Sequence, residues 1–150
     1  MRPIILGMNN PYSVDPRLAL FPSPPGCAGW RLWRMIADVR PGAFRQHYID
    51  VFDRRNLLVG NWSRRRAREA AAAIELPRGA TVVLLGAELR DVLGLPARPI
   101  HPIVDECRGV VFRQVPHPSG RCPWYNKEDN RRLVGALLSD LMDDYYRRTA

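Results

Sequence analysis

"TVVLLGAELRDVLGL", Thr81–Leu95, is the stretch on which the fold turns. A run of β-branched and apolar residues climbs to Gly86 and stops there, as a strand bounded by a turn residue does. "ELRDVLGL" follows at once and reads as a short helix behind that strand. Working outward, three more short apolar runs carry the same signal. "RPIILGM" (2–8) ends beside Gly7, "RRNLLVGNW" (54–62) contains a second strand with Asn56 at its start, and "GVVFRQV" (109–115) leads into a proline-rich loop. Helical spacing lies between them. Trp30, Trp33, Ile36 and Ala37 recur on one face before Pro41. Ser63 is placed to cap "RRRAREAAAAIEL" (64–76), with Pro77 and Gly79 ending it. A final amphipathic helix carries the stripe Leu133, Leu137, Leu141 and Tyr145, flanked by Val134, Leu138 and Met142. Strand and helix alternate four times, which predicts a parallel sheet covered by helices on both faces. The expected architecture is a three-layer α/β/α sandwich around a four-stranded parallel sheet, a single domain over residues 1–150.

The totals narrow the function classes. The chain has 150 residues, enough for one core, with a normal 46% apolar and 25% charged content. No window approaches the ~18 apolar residues of a membrane span, and the apolar part of the N-terminus is too short for a signal peptide. A cytoplasmic protein with no membrane partner is expected. Cys27, Cys107 and Cys122 are too few and too scattered for a disulfide framework or a four-thiolate centre, and His101 near Cys107 is half a site at best. Free thiols, no metal and no cofactor are expected. The formal charge is +8, carried almost wholly by arginine, since Lys127 is the only lysine. Arginine-over-lysine usage fits a GC-rich genome, but the excess over acidic residues points to a polyanionic partner.

Two loops leave strands at the carboxyl edge of the expected sheet, where ligands bind in open α/β folds. "GMNNPYS" ends the first strand. Gly7 permits close backbone approach, Asn9 and Asn10 offer amides, and Tyr12 adds an aromatic face. "VPHPSG" ends the last strand, with His117 fixed between Pro116 and Pro118, and Ser119 and Gly120 placed to hold a phosphate. Each loop taken alone reads as a turn. Together they would face one another across one crevice. Neither G-x-x-x-x-G-K nor G-x-G-x-x-G is present, so nucleotide hydrolysis and dinucleotide binding are excluded.

In this order the motifs resemble those of the uracil-DNA glycosylase superfamily. "GMNNPY" resembles its Gly-x-Asn/Asp-Pro loop, "VPHPSG" its His/Asn-Pro-Ser loop, and "LFPSPPGCAGWRLWRMI" (20–36) the Phe-x-x-Pro…Phe-Trp segment of the mismatch-specific branch. "TVVLLGAELRDVLG" is similar to the third strand and helix of several branches, and the motif style as a whole resembles the mismatch-specific and single-strand-selective branches. The resemblance implies a DNA partner whose nucleotide is flipped into a pocket and cleaved from its sugar. It implies that His117 donates to the base O2 as the base leaves, and that Asn9 or Asn10 positions the attacking water. The first motif carries one extra residue, so counting from Gly7 selects Asn9 and counting back from Pro11 selects Asn10. By the same resemblance Gly7 and Met8 line the substrate pocket, Tyr12 matches the residue that excludes a 5-methyl group, Phe21 stacks under the base, and Asn56 reads its edge. Ser119 and Gly120 contact phosphate. Arg121, Trp124 or Tyr125 falls where the family places a duplex wedge, though the two aromatics also suit a lid on the last helix. "RRRAR" (64–68) reads as a solvated helix face or a phosphate contact.

An asparagine in the first motif implies slow turnover. Lysine scarcity implies a monofunctional enzyme, because strand-nicking glycosylases form a Schiff base from an amine. The expected product is an abasic site and the expected state a monomer. Two alternatives keep the fold: a glycosylase for a hypermodified base of viral DNA, and a catalytically inactive nucleic-acid-binding module.

Overall fold

The computed structural model of the chain describes residues 1–96 and 103–150, so His101 lies outside the described residues. Among them, five strands form one sheet: β1 (Ile4–Asn10), β2 (Asp53–Val59), β3 (Thr81–Leu85), β4 (Ile103–Cys107) and β5 (Val110–Val115). Their order is β2-β1-β3-β5-β4. β1 runs parallel to β2 and β3, and β3 parallel to β5. Five helices accompany the sheet: α1 (Ala28–Val39), α2 (Arg45–Val51), α3 (Arg64–Ala73), α4 (Ala87–Val92) and α5 (Glu128–Thr149).

The expected four-stranded parallel sheet is therefore incomplete. β4 adds a fifth strand, antiparallel to β5 at the edge. Its sequence, IVDEC, carries two carboxylates, and the turn joining it to β5 is Arg108-Gly109 rather than Asn-Gly. Both turn residues have positive φ, 54° and 77°, as a two-residue hairpin needs. β4 is tied to the sheet's helical cover by an ion pair between the buried Arg90 of α4 and Asp105. Helix α2 is also unexpected. Phe44 precedes it and offers no side-chain cap; instead the Phe44 N–H donates to His47 Nδ1 at 3.0 Å. Ser63 does cap α3, accepting from the Arg66 N–H, but the helix ends at Ala73, three residues early. Ile74 and Leu76 leave it to pack on the core.

Side chains alternate across the strands. Ile5, Val83, Leu85 and Val115 point to one face and pack with Leu32 and Ile36 of α1, Tyr48 of α2, and Leu138 and Met142 of α5. Ile4, Leu6, Val82 and Leu84 point to the other and meet Leu89 of α4 and the residues after α3. Helices thus cover both faces, an arrangement compatible with a three-layer sandwich.

The buried stripe of α5 is Val134, Leu138 and Met142, whereas Leu133 is exposed. Leu137, Leu141 and Tyr145 sit at its margin. The rotation is set by Gly135, which lies against the Met35 carbonyl of α1; a Cβ there would overlap that oxygen. Gly135→Ala is expected to cost ~1–3 kcal/mol by overpacking. Thermal unfolding would show it as a melting temperature lower by roughly 2–4 °C per kcal/mol. An unchanged melting temperature would mean that α1 and α5 do not cross at this glycine.

Candidate functional site

From β1 the chain moves outward to β2, then crosses back over β1 to β3. The helices that follow β1 and β3, α1 and α4, lie on opposite faces. The carboxyl ends of β1 and β3 therefore form a topological switch point, where such sheets leave a crevice. β5 flanks β3 on the far side, so β1 and β5 are two strand spacings apart, ~9–10 Å.

Gly86 closes β3 and forms the floor of this region. Its φ of 103° and ψ of 159° lie where essentially only glycine is stable. Its N–H donates to the Val115 carbonyl at 2.9 Å. A Cβ on Gly86 would stand 3.5 Å from the Cβ of His117, so the histidine sits directly beside the strand end. The backbone beneath His117 is pinned at three consecutive carbonyls. Val115 accepts from Gly86, Pro116 accepts from the Tyr125 hydroxyl at 2.6 Å, and His117 accepts from the Ser119 N–H at 2.8 Å. The imidazole is half-buried, and neither of its nitrogens has a hydrogen-bond partner among the described residues. Burial alone pushes its pKa below the usual 6.5, which keeps the ring neutral at pH 7. A fixed backbone beneath an uncommitted neutral ring is what a hydrogen-bond donor to a bound ligand requires.

The β1 side is built around Gly7. A Cβ there would lie 2.6 Å from Asn56 Oδ1 and 3.2 Å from a Leu20 methyl, so Gly7, Asn56 and the segment 20–21 share one spot. Asn56 is paired in register with Gly7 in the middle of β2, not at its start. Leu20 has a φ of 49°, an outlier for a bulky residue. Two donors hold it there: the Tyr48 hydroxyl reaches the Leu20 carbonyl at 2.9 Å, and Arg54 Nη1 reaches the Ala19 carbonyl at 2.9 Å. Burial pushes the Tyr48 phenol pKa up, so it stays a donor. The Arg54 guanidinium also stacks 5.5 Å over the Phe21 ring, and its Nε is buried without a partner. Desolvation lowers the Arg54 pKa from its usual value.

The two asparagines separate. Asn9 Nδ2 donates to the Gly60 carbonyl at 2.8 Å, tying the end of β1 to the end of β2 and leaving its carbonyl oxygen without a partner among the described residues. Asn10 Oδ1 accepts from the Tyr12 N–H at 2.9 Å, an Asx turn. Asn10 and Asn56 both line a cavity of about 260 Å³. Ser119 and Gly120 line a second cavity of about 260 Å³ beneath the other loop, against α1.

Other expected contacts are not brought together. Met8 packs in the cluster under α3 and α4, on the face opposite Gly7, because strand side chains alternate. Tyr12 is 94% exposed, so its ring is not packed against a pocket wall formed by the described residues. Tyr125 is buried and Trp124 packs edge-on against it at 4.9 Å on the core, so both suit the lid reading. Only Arg121 of the three wedge candidates is exposed. The Arg64 side chain of the "RRRAR" run pairs with Asp91 of α4. Leu20, Tyr48 and Arg54 were not legible as site residues, since their roles arise from contacts 28 and 35 residues apart. No family model and no curated protein matches the sequence.

Proposed function

We propose that the chain is a monofunctional DNA glycosylase that removes uracil or a related modified pyrimidine. The observation that carries this reading is the His117 imidazole, set beside Gly86 at the switch point on a loop backbone fixed at three carbonyls, and without a hydrogen-bond partner among the described residues. In support, β2-β1-β3-β5 form a parallel block, and the loops that carry Asn9, Asn10 and His117 leave the carboxyl ends of β1 and β5.

The chemistry follows from the groups present. A nucleotide extruded from the duplex places its base between Phe21 and Asn56 on one side and His117 on the other. The C1′–N1 bond breaks with its electron pair leaving on the base. The His117 N–H donates to the base O2 as negative charge gathers there. A water oxygen bonds to C1′, and its released proton ends on the departed base. Asn9 is the better holder of that water, because its carbonyl oxygen is uncommitted while that of Asn10 closes a turn. Phe21, backed by Arg54, offers the stacking surface.

The test is alkaline cleavage of labelled single- and double-stranded oligonucleotides carrying uracil, 5-hydroxymethyluracil or modified cytosines. Strand breaks are expected only after alkali. Borohydride should trap no protein–DNA adduct, because Lys127, the only lysine, sits exposed at the N-cap of α5, and the Met1 amine lies at the amino end of β1, away from the loops. A trapped adduct would overturn the monofunctional assignment, and intact DNA from every substrate would overturn the enzymatic one. One observation favours a second reading, an inactive DNA-binding module: both asparagines already make structural hydrogen bonds. DNA binding without any excision is the result that selects it.

A further inference from the structure

The cavity beneath Ser119 and Gly120 carries more cationic groups than the two-loop crevice uses. Arg31 and Arg34 of α1 and Arg131 of α5 all line it, against one carboxylate, Asp38. Asp38 is already 4.0 Å from Arg34, and Arg34 also lies over the Trp30 ring at 5.9 Å. Arg31 is placed differently. Its Nε donates to the Gly26 carbonyl at 3.0 Å, while its two terminal amino groups have no partner among the described residues. Those amino groups reach over the Ser-Gly turn: a Cβ on Gly120 would stand 2.8 Å from Arg31 Nη2. The Arg131 Nη1 donates to the Tyr125 and Asn126 carbonyls, leaving the rest of its fork free among the described residues.

The turn itself offers donors. Ser119 Oγ accepts from the Arg121 N–H at 3.3 Å, so its hydroxyl proton is free to be donated outward. The Gly120 N–H has no partner among the described residues. Ser119 Oγ–H and the Gly120 N–H are donors for one phosphate, and the Arg31 amino groups beside them, with the cavity's one carboxylate, Asp38, set against Arg34, are donors for the oxygens of the next.

We propose that this cleft is a second phosphodiester site, in which Arg31, supported by Arg131, grips the DNA strand next to the phosphate taken by Ser119 and Gly120. The site deepens the glycosylase reading, which supplies the strand, and it assigns α1 as the surface along which that strand runs. From Trp30 to Asp38 the lining of α1 spans ~12 Å at a rise of ~1.5 Å per residue. That exceeds the ~3.4 Å axial advance of one nucleotide. A Cβ at Gly120 would displace the flexible Arg31 guanidinium from its place over the turn.

The test is binding of the full chain to a uracil-containing duplex by fluorescence anisotropy across a salt series. Each phosphate contact contributes a slope of ~0.9 in log K against log salt. Arg31→Ala is expected to lower the slope by about that amount and weaken binding several-fold at low salt. Gly120→Ala should do the same with the charge retained, which separates lost contact from lost charge. Arg34→Ala, whose partner is Asp38, should change the slope less. Wild-type slopes in both Arg31→Ala and Gly120→Ala, with their melting temperatures intact, would overturn the clamp while leaving the glycosylase reading standing. Reduced slopes in a chain that excises no base would do the reverse. Inorganic phosphate that shifts the Arg31 NMR signals as strongly as DNA does would identify a free-phosphate site, and the clamp would be wrong.

Discussion

His117→Ala is expected to lower base excision by ~10²–10³-fold, equivalent to ~2.7–4 kcal/mol of barrier, while DNA binding persists. The size follows from the setting. The ring is half-buried, carries no competing partner among the described residues, and is held by a loop whose carbonyls are fixed by Gly86, Tyr125 and Ser119. A donor so prepared does not reorganise as the base leaves. The loss should fall on kcat, because the contact strengthens only as charge develops on the base. A drop in binding with kcat unchanged would show that the imidazole merely holds DNA. The pH dependence is a second readout. Burial lowers the folded-state pKa below 6.5, so a His117 limb in the rate profile should be displaced below that pH. Stability moves with a definite sign. As pH falls through 6.5 the unfolded chain takes up the proton first, so stability declines from there to the lower folded pKa and then levels off. The difference in urea midpoint between wild type and His117→Ala should follow that curve.

Asn9→Ala should cost ~10²-fold in excision, the scale on which a mispositioned reactant slows chemistry, and Asn10→Ala less than ~10-fold. The asymmetry rests on where each side chain is anchored. Asn9 is oriented by its bond to the Gly60 carbonyl and keeps its oxygen without a partner among the described residues, whereas the Asn10 oxygen closes the turn to Tyr12. Asn9→Ala also leaves the Gly60 carbonyl without that donor, so a stability loss of ~1–3 kcal/mol accompanies it. Rates are therefore compared at a temperature where both variants are folded. Equal losses at the two positions would remove the assignment of the water to Asn9.

The framework was legible because periodicity reports burial. The runs at Ile4–Leu6, Thr81–Leu85 and Val110–Val115 are apolar enough to be strands whatever their neighbours, and Ser63 is a cap that works locally. What escaped depends on partners distant in sequence. β4 is acidic and edge-exposed, and its membership follows from pairing with β5 and from Arg90 reaching Asp105. α2 has no capping side chain at Phe44, only the His47 ring reaching back to the Phe44 N–H, and it is set by burial of Tyr48 and Val51. In the site, proline, asparagine and histidine mark the two loops by composition. The left-handed Leu20 and the donors Tyr48 and Arg54 that hold it carry no local mark. Met8 shows the opposite failure, because strand alternation alone places it across the sheet from Gly7.

The account depends on the segments after β1 and β5 acting on one extruded base above Gly86. The most direct measurement is an NMR titration of the labelled chain with a duplex carrying a non-hydrolysable 2′-fluorinated deoxyuridine. Signals of Gly7, Asn9, Gly86 and His117 should shift together along one binding curve, beyond any change produced by the same duplex without the uracil. Shifts confined to one loop, or identical for the two duplexes, would contradict the account.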